Sequence, residues 1–394
     1  MKKNLWLLAV AQGLFLTNNV VFIAINGLVG LSLAPLTWMA TLPVMGYVVG
    51  GAMSTGLVAR SQQRWGRKVS FQLGLLVAFL SVLVCAFALV IQSFWLLVAG
   101  TVVAGYYSAN GQLYRFAAGE LAPPSFREKA VSLVLAGGLI GAVIGPNLAN
   151  YTRDTLGTPF LASYLALAVV ALISMAVMAG VRFPVEPARE SGGGSRGRPL
   201  AEIVRQPVFI VATIGAALGY GVMNLLMAAT PLAMDICGMP FSDAALVLEW
   251  HVIGMFAPGF FTGHLIKRFG VLSVMGVGVV LNAACILIAL SGQDLHQFLV
   301  GLFLLGVGWN FLFTGSTTLA MQAYRPEEKD KAQAAINFAL FATMALTSFA
   351  SGALVTTQGW ALLNLGSLVP VALTGLALLW LSLRQRKELE RQAP

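Results

Sequence analysis

Q-R-W-G at residues 63–66 returns as K-R-F-G at 267–270, 204 positions on, and Gly74 is echoed by Gly278 at the same interval. P-S-F-R-E-K-A from Pro124 is matched by P-E-E-K-D-K-A from Pro326, 202 positions on. Each echo follows an apolar run of similar length, so the chain reads as one structural unit written twice. Everything else in the sequence can be placed around that repeat.

The repeated unit is lipid-embedded. Of 394 residues 58% are hydrophobic and 10% charged, and the mean hydropathy is +0.82, against roughly 25% charged residues in soluble domains. Runs of about 20 apolar residues, the length that crosses a bilayer, fall near 4–30, 35–58, 69–90, 94–118, 130–151, 160–181, 207–233, 243–266, 271–291, 296–321, 331–355 and 359–384. The expected fold is therefore an all-α membrane protein with twelve transmembrane helices in a 6+6 arrangement. Parallel repeats of this kind place a substrate path at their interface near the midplane. The expected division is an N-terminal six-helix bundle over 1–185, a cytoplasmic linker over 186–206 and a C-terminal bundle over 207–394. Within the linker, E-P-A-R-E-S-G-G-G-S-R-G-R-P at 186–199 has the composition of a flexible connector.

The net charge of +9 does not point to nucleic acid, because the basic residues sit in alternate loops. Lys2 and Lys3, Arg60 to Lys68, Arg127 and Lys129, Arg182 to Arg205, Lys267 and Arg268, Arg325 to Lys331, and Arg384 to Arg391 all share one side. By the positive-inside rule that side is the cytoplasm, which holds both termini. Arg153 alone lies in an opposite loop. The first apolar run is longer than a signal-peptide core and reads as an uncleaved span. Cys85, Cys237 and Cys285 are odd in number and far apart, so no disulfide framework is expected.

Inside the C-terminal half, M-N-L-L-M puts Met223 and Met227 on one face of the seventh span, and H-V-I-G-M puts His251 and Met255 on one face of the eighth. Facing one another, they offer three thioethers and an imidazole. Thioethers are soft and uncharged and favour Cu(I), and imidazole suits copper and zinc. A cage without carboxylate or thiolate binds yet releases, as a conducting site must. Ionisable groups within spans are rare and default to functional candidates, which lifts His251 above the methionines, common core fillers by themselves. Met234, Cys237 and Met239 form a candidate entry relay at the outer loop. Glu249 points roughly 200° away from His251 around the helix, and an interfacial position is favoured for it. For Arg115, snorkelling to the headgroups is one open reading, and a coupling role, which only a family resemblance implies, is equally open. Asn18, Asn19, Asn26, Asn310 and Asn337 are expected to bond between helices, and His264 and His296 to be ordinary interfacial residues. Gly137, Gly141, Gly145 and Pro146 form a small-x-x-x-small stripe for which close helix packing is the favoured reading.

The chain resembles the major facilitator superfamily over its whole length. R-W-G-R-K at 64–68 is similar to that family's signature after its second helix, although Gln63, and Lys267 in the second half, stand where the usual Asp would be. The glycine stripe is similar to a motif of its proton antiporters. The two Met/His pairs, H-V-I-G-M-F-A-P and G-V-G-W-N-F-L-F at 306–313 resemble the CcoA-like (CalT) copper importers within that superfamily, and Cys237 matches a cysteine found there. The resemblance implies Met223, Met227, His251 and Met255 as metal-binding residues and import of copper across the bacterial inner membrane for assembly of cbb3-type cytochrome oxidase. The implied partners are the copper ion, as substrate, the lipid bilayer and a cytoplasmic or membrane copper chaperone. A monomer is expected, with no nucleic acid and no cofactor.

No Walker motif follows the Gly-rich linker, so ATP drive is unsupported. No nucleophile–base pair or catalytic carboxylate pair is visible, and an enzyme is not expected. The alternative reading is a proton-coupled transporter of a small organic molecule, a drug effluxer or a riboflavin-like vitamin importer, whose members are expected to lack the Met/His pairs. A third is a copper sensor or assembly factor that binds metal without moving it.

Overall fold

The computed structural model describes residues 2–36, 39, 42–183 and 197–392, and every regular element in them is helical. In order these are α1 Lys2–Leu33, α2 Leu42–Val90, α3 Phe94–Gly111, α4 Tyr114–Leu121, α5 Arg127–Ala136, α6 Gly138–Thr152, α7 Leu161–Gly180, α8 Leu200–Val204, α9 Pro207–Ile236, α10 Phe241–Phe256, α11 Gly259–Phe269, α12 Val271–Ser291, α13 Leu295–Ala320, α14 Lys329–Thr357 and α15 Gly359–Gln392. Among the described residues nine helices are long and apolar enough to cross a membrane. One of them, α2, is two spans joined at Gly66, and the pairs α3–α4 and α10–α11 supply two further passes. The twelve passes of the sequence reading are thereby accounted for. The Gly/Ser-rich stretch 186–196 lies outside the described residues.

The sequence repeat is a structural repeat. Gly66 has φ +78° and Gly270 has φ +85°, a region open to glycine and strained for side chains. Neither glycine has a neighbour that a Cβ would meet, so backbone conformation and not space requires glycine at both loops. Likewise Pro124–Phe126 and Pro326–Glu328 are each a single 3-10 turn, leading directly into α5 and α14. Proline suits both, because the first residue of a helical turn has no partner for its N–H to lose.

The chain divides into two compact units. The first comprises Met1–Pro124, Leu133–Arg196 and Lys329–Phe341; the second comprises Ser125–Ser132, Gly197–Glu328 and Ala342–Pro394. In the first, α1 packs on α6 and α7, and α2 packs on α3 and α7. The Asn26 amide of α1 donates to the Phe22 carbonyl, and its oxygen accepts from the Tyr164 hydroxyl of α7 at 2.9 Å. In the second, α13 is the central helix, with α9, α10 and α12 laid against it.

At the cytoplasmic end of the second unit the described chain resumes at Gly197 and is pinned at once. Arg198 donates from Nε (2.9 Å) and Nη2 (2.7 Å) to the two carboxylate oxygens of Glu328, and from its backbone N–H at 2.7 Å. Glu328 is wholly buried, while the Arg198 side chain is 28% exposed. The Arg325 N–H adds a fourth donor at 2.9 Å.

Candidate functional site

The sequence candidates sit around α13. His251 is wholly buried, and its Nδ1 lies 2.7 Å from the Leu302 carbonyl. A carbonyl only accepts, so the hydrogen bond assigns the proton to Nδ1 and leaves a lone pair on Nε2. That Nε2 has no partner among the described residues. One turn on, α10 ends near Ala257–Pro258 and α11 begins at Gly259. The break frees carbonyls, and Asn310 takes one of them, donating to Met255 C=O at 2.6 Å while accepting from Thr262 at 2.7 Å. Buried Met255 is thus fixed to α13 by its own backbone.

On α9, Tyr220 packs edge-on against Trp309 and Phe313 of α13, with ring centroids 5.5 Å apart in each case. Met223 and Met227 follow by three and seven residues, which is about 5 and 10 Å along the axis. Gly306 and Leu302 precede Trp309 by the same steps on α13, which runs the opposite way. The helix of Met223 and Met227 and the helix of His251 and Met255 thus both pack against α13. Met223 is buried and Met227 partly exposed. His251 and Met255 are tied to α13 by their hydrogen bonds, and next to Met223 on α9 Asn224 donates to Thr347 and Ser348 of α14 at 3.0 and 2.9 Å.

The outer residues differ in burial, and the Met239 N–H donates to the Met234 carbonyl at 3.0 Å. Met234 is buried, Met239 is partly buried, and exposed Cys237 donates its thiol hydrogen to Gln293 at 3.0 Å. Glu249, His264 and His296 are exposed.

Arg115 corrects one of the two readings left open for it. It does not snorkel. Its side chain is buried, with Nη2 3.2 Å from Asn337 and Nη1 3.4 Å from Gln112. Its chain neighbours Tyr114 and Phe116 are apolar walls, and the guanidinium lies 4.8 Å from the Phe116 ring centre.

Arg67 was hidden in the sequence among a run of loop cations. In the first unit it is buried and joined to Glu120 through Nε (3.1 Å) and Nη2 (2.5 Å), with Gln62 at 2.6 Å and Gln333 at 2.7 Å. Lys329 Nζ lies 3.6 Å from Glu120 Oε2, the oxygen that accepts from Arg67 Nε. Burial pushes the Glu120 carboxyl up, but the Arg67 guanidinium and the Lys329 ammonium outweigh it and hold the group below its ordinary value. Gln63, standing where the family's Asp is usual, is exposed, and Gln62 and Glu120 serve Arg67 instead.

Trp309 was also missed as a site residue. It stacks on Phe313 at 4.7 Å and 18°, meets Phe256 edge-on at 5.6 Å, and carries a buried indole N–H with no partner among the described residues.

A sequence model described as Major Facilitator Superfamily matches residues 5–257 and 213–394. The chain is 38% identical over 364 residues to the riboflavin transporter RfnT of Brucella anthropi, covering 92% of each. It is 28% identical over 350 residues to the uncharacterized MFS-type transporter YddS of Bacillus subtilis, covering 84% of this chain and 80% of that one. Among solved structures it superposes on the transporter FucP in its outward conformation, with a TM-score of 0.79 at 15% identity over 95% of this chain and 98% of that one. It also superposes on an outward-facing bacterial homologue of the iron transporter ferroportin, with a TM-score of 0.73 at 15% identity over 96% and 99%.

Proposed function

The chain belongs to the Major Facilitator Superfamily, and on that premise we propose that it imports a riboflavin-type vitamin by alternating access, driven by a gradient. It is a multi-pass protein of the bacterial inner membrane with twelve helices and both termini in the cytoplasm. What carries the reading is the 38% identity to a riboflavin transporter, spread over 92% of both chains with no large part unmatched. Vitamin uptake thereby moves ahead of the copper import that the Met/His pairs suggested. The test is rescue of a bacterium that can neither make nor import riboflavin. Growth on low external riboflavin, with labelled riboflavin accumulating above an empty-vector control, is the expected result; no growth with the protein present in the membrane would overturn the reading.

A second reading, Cu(I) import, keeps one specific observation in its favour. Metal-bound histidines characteristically donate their other ring N–H to a carbonyl or carboxylate, which fixes the tautomer, and His251 does so to Leu302. With Met255 one turn on and Met223 and Met227 on α9, which packs against the same α13, the unpartnered Nε2 would complete a soft, neutral donor set. On this reading His251→Ala and Met223→Ala each cut accumulation of labelled copper at least tenfold while the protein still reaches the membrane. Copper uptake that equals an empty-vector control in the wild type would exclude it.

A further inference from the structure

Several buried polar atoms of the second unit have no partner among the described residues, and two of them are ring nitrogens, one on α13 and one bonded to it through its other nitrogen. His251 Nε2 is an acceptor, because its ring proton is committed to Leu302 at the other nitrogen. Trp309 Nε1 is a donor. Buried polar groups are nearly always paired, and a buried indole N–H usually finds an acceptor. Leu302 and Trp309 are seven residues apart, so they lie on one face of α13 about 10 Å apart.

Around the donor is an aromatic cluster from three helices. Trp309 stacks on Phe313, and Tyr220 of α9 and Phe256 of α10 meet it edge-on. Of the four rings only Tyr220 is partly exposed. A flat polarisable surface, an N–H donor and a fixed lone pair are the complement of a planar heteroaromatic ring with carbonyl oxygens and an imide N–H.

We propose that Tyr220, Trp309 and His251 form the recognition site for the tricyclic ring of a flavin-type substrate. The ring stacks on Tyr220 and meets Trp309 at its edge, where it accepts a hydrogen bond from Trp309 Nε1, and it gives one to His251 Nε2. Tyr220 is the ring that moves to admit it. The proposal rests on the vitamin reading above and assigns that reading its contacts.

The experiment uses the full-length protein in lipid nanodiscs and follows the quenching of riboflavin's own fluorescence, which reports stacking. Trp309→Phe keeps a ring against Phe313 and removes only the donor, so riboflavin binding should weaken about tenfold, equivalent to about 1.4 kcal/mol. Riboflavin methylated at its imide nitrogen should bind the wild type about tenfold less well, yet show no such penalty in His251→Phe, where the acceptor is already gone. If Trp309→Phe does not accumulate, Tyr220→Leu, at a partly exposed position, should weaken binding and abolish the quenching. Wild-type binding with both variants within twofold of it and no penalty for the methylated compound overturns this site and leaves the vitamin reading standing. A wild type that neither quenches nor transports riboflavin overturns both.

Discussion

Gly137→Leu is expected to leave little folded protein in the membrane. In the first unit α6 and α1 cross backbone to backbone. A Cβ on Gly137 would overlap the carbonyl group of Ala9, one on Gly141 would come within 2.6 Å of the Thr17 nitrogen, and one on Gly13 within 2.7 Å of the Gly137 carbonyl. The obstructing atoms are backbone, so no side-chain rotation relieves them, and the successive contacts prevent the helices from parting at one point alone. Inserting a side chain into such packing costs about 1–3 kcal/mol or more, and without a hydrophobic drive between helices in lipid, close backbone approach is much of what holds them together. Gly276→Ala supplies the contrast: nothing lies within 4 Å of a Cβ there, and alanine in a helix interior is favoured over glycine by up to ~1 kcal/mol. Fluorescence-detected size exclusion of both variants in mild detergent is the check. A Gly137→Leu peak equal to wild type would show that the stripe is not a packing seam.

That stripe was legible as a seam because small residues every fourth position have one dominant meaning between membrane helices. The twelve passes were legible for a similar reason, since apolar length is a direct demand of the bilayer. The repeat was more informative still. Q-R-W-G and K-R-F-G fixed two positive-φ glycines, and the two Pro-led stretches fixed two matching 3-10 turns. These features are local: each is set by residues within a few positions of one another.

What the sequence hid is non-local. Arg67 sits 53 residues from Glu120 and 266 from Gln333, so nothing near it distinguishes it from exposed Arg64 or Lys68. Arg115 had two open roles because snorkelling and burial need the same flanking residues, and only the position of Asn337, 222 residues away, decides between them. At the candidate site, the i,i+4 spacing showed that His251 and Met255 share a face, but not which neighbour that face meets. The neighbour is α13, reached through Leu302 and Asn310. Trp309 escaped notice because two of its ring partners, Tyr220 and Phe256, come from other helices, and an unpaired indole N–H has no sequence signature.

Removing either member of the Arg198–Glu328 pair should destabilise the second unit, but by unequal amounts. Arg198→Met leaves a wholly buried carboxylate holding only backbone donors, which costs about 3–5 kcal/mol. Glu328→Gln leaves a guanidinium already 28% exposed, which water can reach, so about half that loss is expected after allowing for solvent screening. The Glu328 carboxyl is held down to about 2 by the Arg198 side chain, against the opposing effect of burial and with help from the Arg325 and Arg198 N–H groups. A depressed carboxylate contributes its stability above the unfolded value near 4.5 and loses it as pH falls through that value toward 2. In Arg198→Met the depression is gone and the carboxyl can take up a proton, so the deficit against wild type should be largest at neutral pH and shrink as pH falls toward 4. Thermal unfolding of both variants across pH 4 to 8 measures this, with a neutral-pH shift of roughly 10 °C expected for Arg198→Met. Equal shifts for the two variants, or a deficit that grows on acidification, would mean that the buried charge is not what holds Arg198 to the Pro326–Glu328 turn.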